Sequence, residues 1–233
     1  DVIQLPSFAT STYLAMHNER GELVGAVADM AIMNEFTPEL LAAKMPRLHS
    51  ASTMVIDANL PAQTVSWLAE QPLHACIAAD AVSAAKAVNL TPLLDKIKVL
   101  KVNRAEALAL LARTEAPALS SEGLIRALQD KGVENVLLSL SQDGVMLGTP
   151  NQTIHRHVPA CELANDSGAG DALLAGYLHA RWHIDDPEDQ ITFAAACAAA
   201  TLEAPQAVHS SLTERYVRKR FADYFQSCAM TTA

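Results

Sequence analysis

The sequence predicts an α/β fold: a mostly parallel central sheet with helices on both faces, plus a small β-lid. Three observations carry this. From about residue 53 onward, apolar runs of strand length alternate with helical patterns over short connections, the arrangement that builds parallel strands with crossover helices. Half of the 233 residues are hydrophobic but only 5% are aromatic, so the core is aliphatic and small, as where helices pack on a sheet. The first forty residues contain no strand–helix unit and read instead as a hairpin. A chain of this length is one large domain or two small ones.

Taken in order, "STYLAMHNERGELVGAVADM" (11–30) has two short β-like runs around "NERG", a hairpin signal. A hairpin with no apolar partner of its own packs on something or serves as a flap. Residues 1–35 are therefore assigned to a β-lid and its connection, and 36–233 to the α/β core. "TMVIDA" (53–58) is a buried strand, followed by "PAQTVSWLAEQ" with proline at a helix start. "HACIAA" (74–79) and "KIKVLKV" (96–102) are the next strands, followed by helices over "AVSAAKAVNL" and "RAEALALLAR" (104–113). "SSEGLIRALQDKG" is a helix with serine caps and a glycine stop, leading into the strand "ENVLLSL" (134–140). "GVMLGT" and "TIHRHV", separated by "PNQ", form an antiparallel excursion. The remainder is helical over 169–182, about 188–202, and 213–226. "FAAACAAATLEA" is rich in small residues, which suit either close helix packing or the approach of a flat ligand.

Composition excludes several functions. A net charge of −9 argues against a nucleic-acid or anionic-membrane binder, since both require a basic surface. No apolar run approaches the roughly 20 residues that cross a bilayer, and "DVIQLPSFAT" has no signal-peptide pattern. Cys76, Cys161, Cys197 and Cys228 show no CxxC spacing and read as reduced, mostly buried thiols of a cytoplasmic protein. In "HRHVPAC", a strand would place His155 and His157 on one face near Cys161, but no second ligand cluster accompanies them.

"NDSGAGDALLAGYLHA" (165–180) is the stretch that asks for a chemical explanation. Backbone N–H groups at Gly168, Ala169 and Gly170 at a helix N-terminus make a site for an anion. A carboxylate beside phosphate is repulsive unless it has a task, such as taking a proton from an attacking hydroxyl. Asp171 equally suits the first helical turn on dipole grounds alone. Other glycine loops fit worse: there is no GK[ST], no GxSxG, and Leu173 stands where a dinucleotide fingerprint needs a small residue. "KVNRAEAL" puts Asn103 at a strand end and Glu106 on the first helical turn. The pair suits a hydrated magnesium beside phosphates, or an N-cap asparagine with a solvated glutamate. "LSLSQDGVML" ends a strand with Ser139 and Ser141 before Gly144, a polar turn able to meet a nucleotide phosphate.

NxxE, then a strand ending in a polar glycine turn, then GAGD opening a helix resembles the ribokinase-like (PfkB) carbohydrate and nucleoside kinases. The resemblance runs from about residue 50 to the C-terminus and weakly includes the hairpin. It implies ATP and Mg²⁺ as cofactors, Asp171 as catalytic base and Gly168, Ala169 and Gly170 as the anion hole. It further implies that Asn103 and Glu106 organise the metal and the ATP phosphates, indirectly through water, that Ser139, Ser141, Gly144 and Cys197 belong to the nucleotide site, and that Asn59 contacts the acceptor. "DANLP" (57–61), "AADAVSAAKA" (78–87), "KVNRAEA" (101–107) and the lid hairpin look most like pseudouridine kinases. The implied reaction is phosphorylation of a primary hydroxyl on a small sugar or nucleoside, with pseudouridine the preferred acceptor. Ribose, fructose-type sugars and other nucleosides are alternatives, as is a silent ligand-binding module of the same fold. Asp57 and Asp80 either line the same edge or cap strand ends, and Lys86 reads as a helix-face charge. The lid hairpin pairs two chains in several relatives, which implies a homodimer. Asn165 replaces the aspartate tied to a monovalent cation in relatives, so potassium activation does not carry over. Ser141 stands where glycine is usual, and Cys197 where some members have asparagine. Family members begin with a strand and a GGxxxN segment upstream of the part matched here; neither precedes Asp1 in this sequence, so the resemblance implies a longer fold.

Overall fold

Strand-length apolar runs become strands wherever both faces are buried, and the order of those strands positions everything else. The computed structural model describes residues 2–18, 23–112 and 119–231. Along the chain come β1 (Thr12–His17), β2 (Leu23–Asp29), α1 (Pro38–Ala42), α2 (Met45–His49), β3 (Thr53–Asp57), α3 (Ala62–Glu70) and β4 (Cys76–Asp80). There follow α4 (Ala84–Ala87), a 3₁₀ run (Val88–Lys96), β5 (Ile97–Asn103), α5 (Arg104–Leu110), α6 (Ser121–Gln129) and β6 (Asn135–Ser139). The chain ends with β7 (Val145–Gly148), β8 (Thr153–Arg156), α7 (Ala169–His183), α8 (Pro187–Leu202), α9 (Glu214–Arg220) and α10 (Ala222–Thr231).

β3 to β8 form one six-stranded sheet in sequence order. β3, β4, β5 and β6 are mutually parallel, and β7 and β8 return antiparallel. This is the mostly parallel α/β architecture that the sequence predicts, with β1 and β2 forming a separate antiparallel sheet, the lid. Residues alternate between faces along each strand. Ile56, Ile77, Leu100, Val102 and Leu138 pack with Leu68, Leu90 and Leu124 on one side. Ala78, Val99, Leu137 and Leu147 pack with Leu173, Tyr177, Ile191 and Ala195 of α7 and α8 on the other. β3 is the sheet's edge, and Val55 on its α7 side is 60% exposed.

Four expectations are corrected in detail. The helix over 81–90 shrinks to the single turn of α4, followed by 3₁₀ structure containing Pro92, which has no N–H to donate to an α-helix. The helix over 213–226 breaks into α9 and α10 at Phe221, whose ring is buried with Phe193 and Val217. The strand over 74–79 starts later and ends on Asp80. Of the four free cysteines only Cys197 is fully buried. Small residues in 193–204 serve helix packing: α8 is buried on nearly every side, and a Cβ on Gly176 of α7 would lie 2.9 Å from Cys197. Glu19, Arg20 and Gly21 of "NERG", and Arg113 at the end of the expected helix 104–113, lie outside the described residues.

His155 bonds the Asp143 carbonyl at 2.6 Å and its ring meets His157. Among the described residues no group of three metal-ligating side chains forms, and no helix is long and apolar enough to cross a membrane.

The fit of β7 against α6 rests on a missing side chain. A Cβ on Gly148 would sit 2.1 Å from Ile125 Cγ2. Gly148→Ala is expected to cost about 1–3 kcal/mol in denaturant unfolding, and Ile125→Ala in the same chain should recover part of that loss, giving a non-additive pair.

Candidate active site

The carboxyl ends of the parallel strands bring the chemistry together. In register, Asp57 of β3 lies beside Asp80 of β4, Asp80 beside Lys101 of β5, and Asn103 beside Ser139 of β6. Asp57, Asp80 and Lys101 share the α7 side of the sheet with Val55, Ala78 and Val99, because strand side chains alternate. α7 begins above this row.

The two glycines of GAGD are required for different reasons. Gly168 is the N-cap of α7 at φ 84°, and a Cβ there would meet the Ala207 carbonyl oxygen at 1.9 Å. Only glycine fits both the left-handed backbone and the contact. As N-cap, Gly168 brings no side chain to cap α7, and the first N–H groups of a helix have no intrahelical partner. At Gly170 a Cβ would lie 2.7 Å from Lys101 Nζ. Asp171 follows at once; although part of it meets solvent, its carboxyl is raised above the usual aspartate range. Burial is the main cause; the Asp80 and Asp57 charges add to it, and Lys101 opposes it. Upstream, the Asn165 side chain accepts from the Ser167 N–H at 2.9 Å.

Asn103 and Glu106 are locked to one another. Asn103 Oδ1 accepts from the Glu106 N–H at 2.9 Å, while Glu106 accepts from the Asn103 N–H at 2.8 Å and from Nδ2 at 2.7 Å. This is a reciprocal capping box at the start of α5. Glu106 is 2% exposed, so the solvated glutamate of the alternative reading is corrected: the carboxylate is buried and both its oxygens are engaged. Such a pair fits a metal through an intervening water shell and not by direct ligation.

On the other flank, Asp57 accepts from the Asn59 N–H and Nδ2, both at 2.9 Å. Lys86 of α4 donates to Asn59 Oδ1 at 2.5 Å. Its reading as a helix-face charge is corrected: Lys86 is tied into the edge. Asp80 accepts from the Val82 N–H at 2.8 Å and pairs with Lys101 at 3.2 Å, so both aspartates line the edge and cap their strand ends.

Ser139 donates to the Val102 carbonyl at 3.3 Å, beside Asn103. Ser141 opens the next turn at φ 56°, a serine in a conformation that favours glycine. Gly144 has φ 96°, and a Cβ there would strike the Arg156 carbonyl at 2.1 Å. Cys197 is not brought to the edge. It lies 4% exposed between α7 and α8, and burial pushes its thiol up to about 12. Lys101 is the residue that sequence reasoning missed. A lysine on the inward side of the apolar run "KIKVLKV", two positions before Asn103, was its only signal.

Fold and site together define a ribokinase-like α/β protein with its glycine cradle, carboxylate and capping box on one sheet edge. The chain belongs to the pfkB family of carbohydrate kinases, whose sequence model matches residues 2–214. It is 29% identical over 205 residues to the pseudouridine kinase of Escherichia coli (strain K12), covering 85% of this chain and 64% of that protein. An uncharacterized sugar kinase of the same organism is 27% identical over 198 residues, covering 84% of this chain and 55% of that one. The chain thus spans less than two thirds of the length of these curated relatives. Among solved structures, a carbohydrate kinase from Agrobacterium tumefaciens superposes with a TM-score of 0.75 at 28% identity, over 94% of this chain and 70% of that one. A ribokinase from Thermotoga maritima, at 20% identity and a TM-score of 0.76 over 92% and 70% of the two chains, shares the fold.

The capping box is testable without any substrate. Glu106→Gln replaces one buried acceptor oxygen with an NH₂ donor that faces an Asn103 donor, and an unsatisfied buried group costs about 1–3 kcal/mol. A fall of that size in unfolding free energy is expected, and no change would mean that the box is not formed.

Proposed function

We propose that the protein transfers the γ-phosphoryl group of ATP to a primary hydroxyl of a sugar or nucleoside, with pseudouridine as the preferred acceptor and pseudouridine 5′-phosphate as product. The observation that carries this is Asp171, with its raised carboxyl, on the first turn of a helix whose N-cap is a left-handed glycine with no capping side chain. In this reading Asp171 takes the proton of the acceptor hydroxyl. That oxygen bonds the γ-phosphorus, and the β–γ bridging oxygen leaves with ADP. The N–H groups of Gly168, Ala169 and Gly170 stabilise charge on the group in transit.

Asn59, oriented by Asp57 and Lys86, is assigned to the acceptor side. Ser139, Ser141 and Gly144 are assigned to the nucleotide, while Cys197 would bear on that site only from the interior behind it. Asn103 and Glu106 would hold magnesium through water, and that ion supplies neutralisation of phosphate charge. The preference for pseudouridine rests on the likeness to the Escherichia coli pseudouridine kinase. Asn165 itself supplies no carboxylate for a monovalent cation, so no such requirement is proposed. We place the activity in the cytoplasm, with no nucleic-acid or membrane partner.

The test is ATP turnover by the full-length protein with magnesium across pseudouridine, uridine, adenosine, ribose and fructose. Turnover on pseudouridine is expected, and Asp171→Asn should lower it about 10²–10⁴-fold with ATP still bound. Turnover on a different acceptor would keep the mechanism and reassign the substrate, whereas ATP binding with no turnover would favour a silent binding module. The acidic limb of kcat/KM should lie above the ordinary aspartate range, and Asp80→Asn should move it to lower pH. The folded pKa of Asp171 is raised, so its ionisation weakens the fold as pH climbs past the unfolded value. Asp171→Asn should therefore raise the melting temperature at neutral pH and leave it unchanged where the carboxyl is protonated in both states.

The lid is assigned to pairing of two chains. Leu14, Met16 and Val27 on one of its faces, and Tyr13 and Val24 on the other, are exposed, an apolar surface that a second copy would cover. Leu14→Glu with Val27→Glu, neighbours in register, should yield a monomer in sedimentation; an unchanged mass would refute this interface.

A further inference from the structure

Gly170 is a glycine for a reason outside its own backbone. The Lys101 ammonium lies against it, with Nζ 2.7 Å and Cε 3.0 Å from the place a Cβ would take. The position is electrostatically costly. A helix N-terminus carries partial positive charge, which disfavours a cation there. The Lys101 side chain is also only 12% exposed, so it has given up most of its hydration. Asp80 offsets part of this, with its two oxygens 3.2 and 3.3 Å from Nζ.

Asp80 is itself held. It is 6% exposed, and its Oδ1 accepts from the Val82 N–H at 2.8 Å. That N–H belongs to a three-residue turn closed by the Ser83 N–H on the Ala81 carbonyl at 2.6 Å, with Val82 at φ 62°. A β-branched residue in this region is strained, and such strain persists where the surroundings over-determine it. The turn fixes Asp80, and Asp80 fixes Lys101. Joining β4 to β5 does not require the ion pair, because the backbone ladder already does so and continues past it with the Ala81 N–H on the Lys101 carbonyl. A buried pair of this kind adds little stability on its own. The Lys101 ammonium meets both oxygens of Asp80, and with three N–H donors lying against the first turn of α7 it can also serve an anion bound at that helix end.

Resting on the reading of residues 168–170 as the anion hole, we propose that Lys101 is a catalytic residue that donates from Nζ to the phosphoryl group in transit, and that Asp80 is its positioning residue. Lys101 keeps its proton throughout; the hydroxyl proton still goes to Asp171 and the bridging oxygen still leaves with ADP. The ammonium meets charge on the oxygens of the transferring group, and Gly170 lacks a side chain so that it can reach them.

The experiment is steady-state kinetics on the full-length protein with the acceptor that it turns over. Lys101→Met should lower kcat about 100-fold, with the acceptor KM moving less than about threefold. Asp80→Asn should lower kcat about tenfold, and the double variant should be no worse than Lys101→Met alone, since both changes remove one device. Gly170→Ala keeps both charges but displaces the ammonium; it should lower kcat as well, and it carries the test if Lys101→Met does not fold. Methylammonium should restore part of the turnover of Lys101→Ala, a recovery that a structural role would not give. Wild-type kcat in Lys101→Met or Gly170→Ala, or strictly additive losses in the double variant, overturns this inference alone. A wild-type protein that binds ATP and turns over no acceptor overturns the phosphotransfer reading and this one together.

Discussion

The first turn of α7 lies as close to the sheet edge as it does because two side chains are absent from it. Gly168 accepts a left-handed backbone against the Ala207 carbonyl, and Gly170 leaves room for Lys101. A larger residue at Gly170 would displace the Lys101 ammonium, and one at Gly168 would push the helix N-terminus away from the sheet edge. The distance between an uncapped helix end and the row Asp57, Asp80, Lys101 would then grow, and Asp171 would lose the neighbours that raise its carboxyl. The edge is built on close backbone approach, which is why its glycines leave little room for side chains.

Around that contact, polar and charged side chains from separate strand ends are held in pairs. Asp57 is held by Asn59, Asn59 by Lys86, Asp80 by Val82 and Lys101, and Asn103 and Glu106 by each other. Three of these bonds tie the end of a strand to the turn or helix that follows it, while Lys86–Asn59 and Lys101–Asp80 join separate turns and strands. A site on strand ends inherits the rigidity of the sheet. Val82 and Ser141 take up the remaining strain, one beside Asp80 and one beside the strand that ends at Ser139.

Much of this was legible in the sequence. Strand–helix alternation fixed the parallel order of β3 to β6, because short connections leave few other topologies. "PNQ" between two apolar runs fixed the antiparallel return of β7 and β8. GAGD and NxxE marked the two turns that the structure brings to the carboxyl edge of the sheet. The helices were legible only where periodicity ran long. α4 and the break between α9 and α10 depend on Pro92 and on the burial of Phe221, which are matters of local backbone and of distant packing.

What the sequence determined by itself was the fold class, the place of the glycine cradle and the identity of Asp171, because these follow from local chemistry at fixed spacing. Only the tertiary structure decided the rest. That Lys86 reaches Asn59, that Lys101 lies against Gly170, that Glu106 is buried with both oxygens engaged and that Cys197 faces the helix interior are all set by which strands adjoin and which face α7 covers. Partners 27 or 69 residues apart in sequence have no periodicity to announce them; they meet because parallel strands end on one edge, where side chains from separate turns come within bonding distance.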